Sequence, residues 1–417
     1  MKSNIRLLSV PKSLWLRLLD SNPQLFRELR GKLKTRNVVI AAAIAVMTQF
    51  MAVILLLGQL PKFQYSGEYC GRYGMALIYQ ENMFGGQVCY AQNAAGDWVI
   101  NWQLWWLDLF IILSLISIFA LLVGGTYLLI ADLVKEEERG TLNFIRLTPQ
   151  SASSVLLGKI LGVPILLYTA IALLFPLHLV AGLQSHIPLN LILAFDLTVV
   201  ASCAFYYSLT LLWSLFDVGA SGLKSWLASS VIGFCLLFLT KLLFDGNLNF
   251  DHFLASTFMF HPGIILSYLI DASHLSFGTT DFLTTDDLAK LSFYGQALWT
   301  KAGTGISLIC LNFSLWTYWG WTILKRRFHN PESTILSKVH SYWLTAWFTI
   351  ITLGFTLQQD TLYFPGDQPS NATYLISNNF VFLQICLSLF GLGLIFALSP
   401  HRQTLYDWAR RISFGGQ

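Results

Sequence analysis

The sequence predicts an all-α integral membrane protein, a polytopic helical bundle of about eight spans. Three observations predict it. The 417 residues are 55% hydrophobic and only 12% charged, about half the charge of a soluble domain, and the mean hydropathy is +0.58. Several apolar runs reach the roughly 20 residues that a helix needs to cross a bilayer. Lys and Arg are distributed very unevenly between the two sets of connecting loops.

The spans fall at 37–60, 105–131, 155–182, 188–214, 225–244, 303–324, 341–357 and 378–398. Trp102, Trp105, Trp106, Trp299 and Tyr342 sit at or near span ends, where amphipathic rings favour the interface. With a cytoplasmic N-terminus, one side collects nine Lys and Arg in 1–36, four in 132–159, one in 215–224, four in 325–340 and three in 399–417. Those are 21 of the 26; Lys62, Arg72, Lys241, Lys290 and Lys301 fall on the other side. By the positive-inside rule both termini are cytoplasmic and the span number is even. No early signal peptide is legible, because the first 36 residues are basic and lack an uninterrupted apolar core.

Ahead of the first span, "NPQLFRELRGKLKTRN" starts with Asn22 as N-cap and Pro23 in the first turn. Leu25, Leu29 and Leu33 recur every fourth residue, with Arg27, Arg30, Lys34 and Arg36 elsewhere. The pattern predicts a basic amphipathic helix lying on the inner membrane surface; residues 11–20 suggest a second one. On the outward side, residues 245–301 form a long acidic loop. Its apolar middle, 253–270, is broken by His261-Pro262-Gly263. That break predicts a re-entrant or interfacial hairpin of two short helices before the sixth span.

The chemistry-bearing segment is "KEEERGTLNFIRLTP" (135–149). Glu136, Glu137, Glu138 and Arg139 need solvent, Gly140 ends the helix, and Thr141 is placed to cap a short one. Leu142, Phe144, Ile145 and Leu147 are too many apolar groups for a free surface turn and need a cover. Thr148 and Pro149 close the segment, and Ser151 or Ser153 is placed to cap the third span. This stretch resembles the first coupling helix of type-2 ABC exporter permeases, which read E-x-E-R-G-T-L-(E/D)-x-L-x-x-T-P followed by a small residue with G-K. The matching positions here are Glu136, Glu138, Arg139, Gly140, Thr141, Leu142, Thr148 and Pro149, then Gly158 and Lys159. Asn143 departs from the acidic residue usual there. The segment 22–37 is similar to the connecting helix that precedes the first span in that family.

The resemblance covers about 50 residues in two blocks and implies a permease that exports substrate while a separate cytosolic ABC ATPase binds and hydrolyses ATP. It implies two permease chains per complex, in a bacterial-type plasma (inner) membrane with its lipid. On this plan residues 1–36 are an interfacial segment and 37–330 a six-span permease core. Residues 331–417, with two further spans, are an addition on which the resemblance is silent. The chain has no phosphate loop of its own: "GASGLKS" (219–225) has the wrong spacing. No cofactor and no metal site is predicted, as neither H-E-x-x-H nor paired Cys–His spacing occurs. No nucleic-acid partner is expected, because charge and aromatics do not share a face.

Two other classes stay open on the residues alone: a membrane anchoring or assembly subunit that docks a partner without transport, and an ion-coupled carrier. The carrier would use Asp196, inside the fourth span about 12 Å from its outer end at 1.5 Å per residue. Asp108, a few residues into the second span, is a second candidate on a translocation path, since intramembrane carboxylates are costly and often functional. His178 lies near the outer end of the third span. Lys159 and Lys241 are expected to snorkel from span ends. Cys70 and Cys89, 19 positions apart in the outward loop 62–104, are expected to form a disulfide. Cys203, Cys235, Cys310 and Cys386 read as small residues of apolar spans.

Overall fold

The computed structural model describes residues 22–60, 73, 80–81, 87–88, 100–141, 145, 147, 149–215, 221–244, 253–275, 282–330, 334–357 and 369–399. The 11–20 segment, Cys70, Cys89, Leu142, Phe144 and Thr148 lie outside the described residues. The architecture is helical. The only named strands among the described residues are two-residue β1 (Gln80–Glu81) and β2 (Gln87–Val88), paired antiparallel with Gln80 opposite Val88.

Helix α1 (Pro23–Lys32) starts where Asn22 Oδ1 accepts the Leu25 N–H at 3.0 Å. Helix α2 (Thr35–Leu57) follows at once. Helix α3 (Trp102–Glu138) is one 37-residue rod, capped by Asn101 and interrupted only by a π-helical turn at Ala120–Gly124. At 1.5 Å per residue it is about 55 Å long. It therefore carries the glutamates of the 135–149 segment out beyond any bilayer core. The third apolar run, 155–182 in the sequence, divides in two. Helix α4 (Ala152–Gly162), capped by Ser151, ends just before Pro164, and α5 (Ile165–Gln184) begins after it. Pro164 has no N–H to continue the ladder and its ring crowds the preceding turn.

Helices α6 (Leu189–Ser214) and α7 (Ser221–Phe244) precede a stretch of short helices. These are two 3-10 helices (Phe253–Phe260 and Pro262–Ile265), α8 (Leu266–Ala272) and α9 (Thr285–Lys290). The expected break at His261 is present, and its polar groups are satisfied from three neighbours. Tyr206 of α6 donates to the Phe260 carbonyl at 2.9 Å, Thr240 of α7 meets His261 Nε2 at 3.0 Å, and His261 Nδ1 accepts the Gly263 N–H at 3.0 Å. Helix α10 (Ala302–His329) supplies Asn312, which donates to the Met259 carbonyl at 3.2 Å. Residues 261–269 are buried, so this irregular backbone is covered by protein, as an apolar setting requires.

Helices α11 (Lys338–Thr356) and α12 (Pro369–Leu398) complete the described chain. Among the described residues, six helical segments are long and apolar enough to cross a bilayer: α2, α3, α5, α6, Leu223–Phe244 of α7 and Asn378–Leu398 of α12. Helices α10 and α11 are long enough, at 28 and 19 residues, but hydroxyl and amide side chains dilute them. Many of those hydroxyls bond back to the preceding turn, as Ser307 does to the Gly303 carbonyl, Thr317 to Phe313 (2.7 Å each) and Thr352 to Phe348 (2.8 Å).

One core joins α2 to α10: α6 packs along α10 and α3, and α5 lies between α2 and α3. A second, small cluster of Trp319, Leu336, Leu344 and Ala397 ties α11 and α12 to α10.

Candidate functional site

Two neighbouring sites contain most of the described candidate residues. The first is a charged corner where α1 crosses α4 beside the end of α3. Gly158 and Gly162 make the approach possible. A Cβ on Gly158 would lie 2.9 Å from the Leu25 nitrogen, and one on Gly162 would lie 2.4 Å from Glu28 Cβ. Asn22 Nδ2 also donates to the Ser154 carbonyl at 2.9 Å. The buried face of α1 is polar, made by Gln24 and Glu28, while Leu25, Phe26, Leu29 and Leu33 are half-buried.

Lys159 fills this corner. It is 1% exposed, so it does not snorkel. Its Nζ lies 2.5 Å from Asp132 Oδ2, 2.7 Å from Glu136 Oε2 and 3.3 Å from Glu28 Oε1. Arg27 pairs with Glu136 and with Glu28, and Lys32 reaches Glu28 at 3.3 Å and Asp132 at 3.5 Å. Ligand oxygens of the three acids come within 4.8 Å of one another, and the Lys159 ammonium is the cation among them. Burial works against that charge, but the Asp132, Glu28 and Glu136 carboxylates outweigh it and hold Lys159 above the usual lysine range.

Sequence reasoning missed this network. Its signals were an acid pair four residues apart (Asp132 and Glu136 on α3), an amide–acid pair at the same spacing (Gln24 and Glu28 on α1) and the small-residue spacing Gly158-x-x-x-Gly162. Each spacing places its residues on one helical face.

The 136–149 segment hangs from this corner. Glu136 points inward to Lys159 and Arg27, whereas Glu138 and Arg139 are exposed. Helix α3 ends there because Gly140 adopts φ +70°, the left-handed region that glycine enters without strain. Thr141 Oγ1 donates back to the Glu136 carbonyl at 3.1 Å and tightens the turn. Of the apolar positions, Ile145 is buried against the chain itself and Leu147 is 85% exposed; Pro149 is exposed.

The second site is a cavity of about 590 Å³ among α3, α4, α5, α6 and α10. Leu157 and Ile160 of α4, with Trp321 of α10, wall the part nearest the charged corner; His178 and Asp196 wall the far part. Between them Tyr168, Cys203 and Tyr207 add polar edges to an otherwise apolar wall. The Tyr207 hydroxyl donates to the Leu121 carbonyl at 2.8 Å, where the π turn sits. Pro176 removes one helical bond beside the wall residues Ala172 and Phe175.

At the far end, Ser114 donates its single hydroxyl proton to the Phe110 carbonyl at 2.7 Å. Its lone pair therefore receives Nε2–H of His178 at 2.9 Å. The imidazole stacks on Phe110 with ring centres 4.4 Å apart. His178 Nδ1 faces Asp196 Oδ1 at 3.9 Å, beyond hydrogen-bond length. Asp196 Oδ2 is buried with no hydrogen-bond partner among the described residues. Asp108 is not on this wall: it is buried beside Tyr73, whose hydroxyl donates to Asp108 Oδ2 at 2.8 Å. The two carboxylates singled out from the sequence are thus in different surroundings, and Asp196 alone faces the cavity.

Comparison with known proteins adds no identity: no family model, no curated protein and no solved structure matches this chain.

Proposed function

We propose that this chain is the permease subunit of an ATP-driven exporter, driven by a separate cytosolic ATPase that docks on the 136–149 segment. The supporting observation is that α4 serves both sites. One face of this short helix carries Lys159, locked to α1 and α3; another carries Leu157 and Ile160, which wall the cavity. A push on the exposed turn between α3 and α4 is transmitted through a cross-linked corner to the wall of a substrate-sized space. In this reading both termini are cytosolic in a bacterial-type plasma membrane. Helices α10 and α11 join the six apolar segments as spans, and the hairpin at 253–270 is re-entrant. The half-buried leucines of α1 rest on the inner lipid surface. A second permease chain completes the complex.

The docking contact comprises the exposed Glu138, Arg139 and Leu147, with Leu142, Phe144 and Thr148 of the same segment. Gly140 provides the turn. The test is co-purification in mild detergent, with identification of any Walker-motif ATPase that accompanies the chain, followed by ATPase and export assays. Phe144→Ala is expected to weaken the assembly by about 1–3 kcal/mol, the range for a buried anchor, and Gly140→Val to uncouple export while leaving insertion unchanged. If both variants assemble and export like the parent, the segment is an ordinary hinge and the reading fails. Dependence of transport on an ion gradient, lost in Asp196→Asn, would instead favour a carrier.

A further inference from the structure

We infer that the cavity takes an amphipathic ligand with an apolar body and a protonated amine head, and that Asp196 receives the ammonium. This rests on the reading of the cavity as the substrate path and adds the class of substrate. The volume, about 590 Å³, is that of a site for a drug-sized or single-chain amphiphile. Among the described residues the wall has one carboxylate and no Lys or Arg. An anionic head would meet repulsion with no compensating cation. An entirely apolar ligand would leave Asp196 Oδ2 buried without a donor, which is costly.

His178 does not meet the need. Its Nε2–H is committed to Ser114, and its Nδ1 stands 3.9 Å from the carboxyl. An ammonium supplies several N–H donors from one atom. Seated against Asp196, it would satisfy the carboxyl and also offer a proton to the Nδ1 lone pair. The apolar tail would then lie along Phe175, Val199 and Val200 toward α4. Other titratable groups are further down the same wall: Tyr168, Cys203 and Tyr207. None carries a fixed positive charge that would compete for the carboxylate.

The probe is a diazirine-tagged long-chain primary amine, compared with its N-acetylated, uncharged counterpart. The full chain is placed in nanodiscs of phosphatidylcholine, irradiated with each probe, and the labelled peptides are mapped by mass spectrometry. We expect the amine to label the α5 and α6 wall at least about tenfold more than the acetamide, the scale of a charge-assisted hydrogen bond. The preference should fall to near one in Asp196→Asn, and Ala204→Trp, which narrows the cavity, should reduce labelling by both. Equal labelling of the parental chain by the two probes would overturn the inference without recourse to any variant. So would an unchanged preference in a folded Asp196→Asn chain.

Adding phosphatidylethanolamine separates two sources of the same head chemistry. Competition assigns the site to a lipid ammonium, and its absence assigns the site to a free amphiphile. No ATPase is present, so failure here removes the amine and leaves the exporter reading standing. Failure to capture an ATPase, conversely, leaves the labelling result intact.

Discussion

Lys159 lies in a charged corner and Asp196 on a largely apolar cavity wall, and the protein treats these two ionisable residues in opposite ways. Lys159 is enclosed by three carboxylates, each of which also has Arg27 or Lys32 as a further partner. Asp196 has one imidazole nitrogen at 3.9 Å and an oxygen with no hydrogen-bond partner among the described residues. A buried charge with a complete set of partners fixes geometry, because any movement exposes several charges at once. A carboxyl with an incomplete set is poorly used by the fold and is free to be used by a ligand. The two sites are joined by α4, so the fixed one is placed to move the open one.

The sharpest way to break this contrast is to remove the central cation. Lys159→Met leaves Glu28, Asp132 and Glu136 facing one another without it. The expected loss is about 3–5 kcal/mol, the range for deleting one member of a buried ionic group. It is read as a large fall in thermal midpoint in detergent, with release of α1. Lys159→Arg, too large for the space but still cationic, should fall between. A Lys159→Met chain that melts with the parent would remove the distinction between the two residues.

The next effect is steric. Gly162→Val places atoms where Glu28 Cβ already lies, 2.4 Å from the ideal Cβ position. Overpacking of this kind costs about 1–3 kcal/mol. Because the clash is with α1 alone, α1 should detach while the spans keep their helix content. Labelling of a cysteine placed at Gln24, buried in the parent, checks it: no gain in labelling would mean that the crossing tolerates the extra bulk.

Much of the fold was legible before any coordinates, and the reasons are local. Asn22 and Ser151 are caps, Gly140 is a helix end, His261-Pro262-Gly263 is a break, and each follows from one residue's backbone chemistry. The apolar runs located the long helices, but α4 and α5 read as one because a single proline after a glycine is a weak signal inside an apolar run. The spans read at 303–324 and 341–357 are helices whose hydroxyls are satisfied within the helix, and composition alone does not weigh that. The charged corner was illegible because it joins residues 28, 132, 136 and 159, from three elements. No window of sequence contains that contact. Lys159 consequently read as a span-end lysine, although its place is in the interior. Asp196 stood out as a charge in a span, but its lack of a partner is a property of the packing.

A milder probe of the same contrast is pH. The folded-state pKa of Lys159 is raised above its ordinary value of 10.5. Its contribution is therefore fully present below 10.5 and is lost only as pH rises through the higher folded value. The α1–α4 contact should survive the whole neutral and mildly alkaline range and open only in strong alkali. Spin labels on exposed Gly31 of α1 and Leu161 of α4, followed by distance measurement against pH, check this. A contact that opens near neutrality would mean that Lys159 is not the group holding it.

The smallest expected change in stability is at Asp196, and it is the most telling one. Asp196→Asn keeps the size of the side chain and removes a charge that the fold does not compensate. No ion-pair network collapses and no core atom is deleted, so the named routes to severe destabilisation are absent. The thermal midpoint should move by the equivalent of about 1 kcal/mol or less. Export should nevertheless fall by an order of magnitude or more, because the carboxylate is the only acid on the cavity wall among the described residues. Lys159→Met should show the reverse proportion, a large loss of stability, with export lost through unfolding as well as through the broken link from α3 to α4. The ratio of activity lost to stability lost, measured for the two variants in one preparation, separates a residue that holds the protein together from one that holds a ligand. Equal ratios would mean that Asp196 is a structural residue and that the substrate path lies elsewhere.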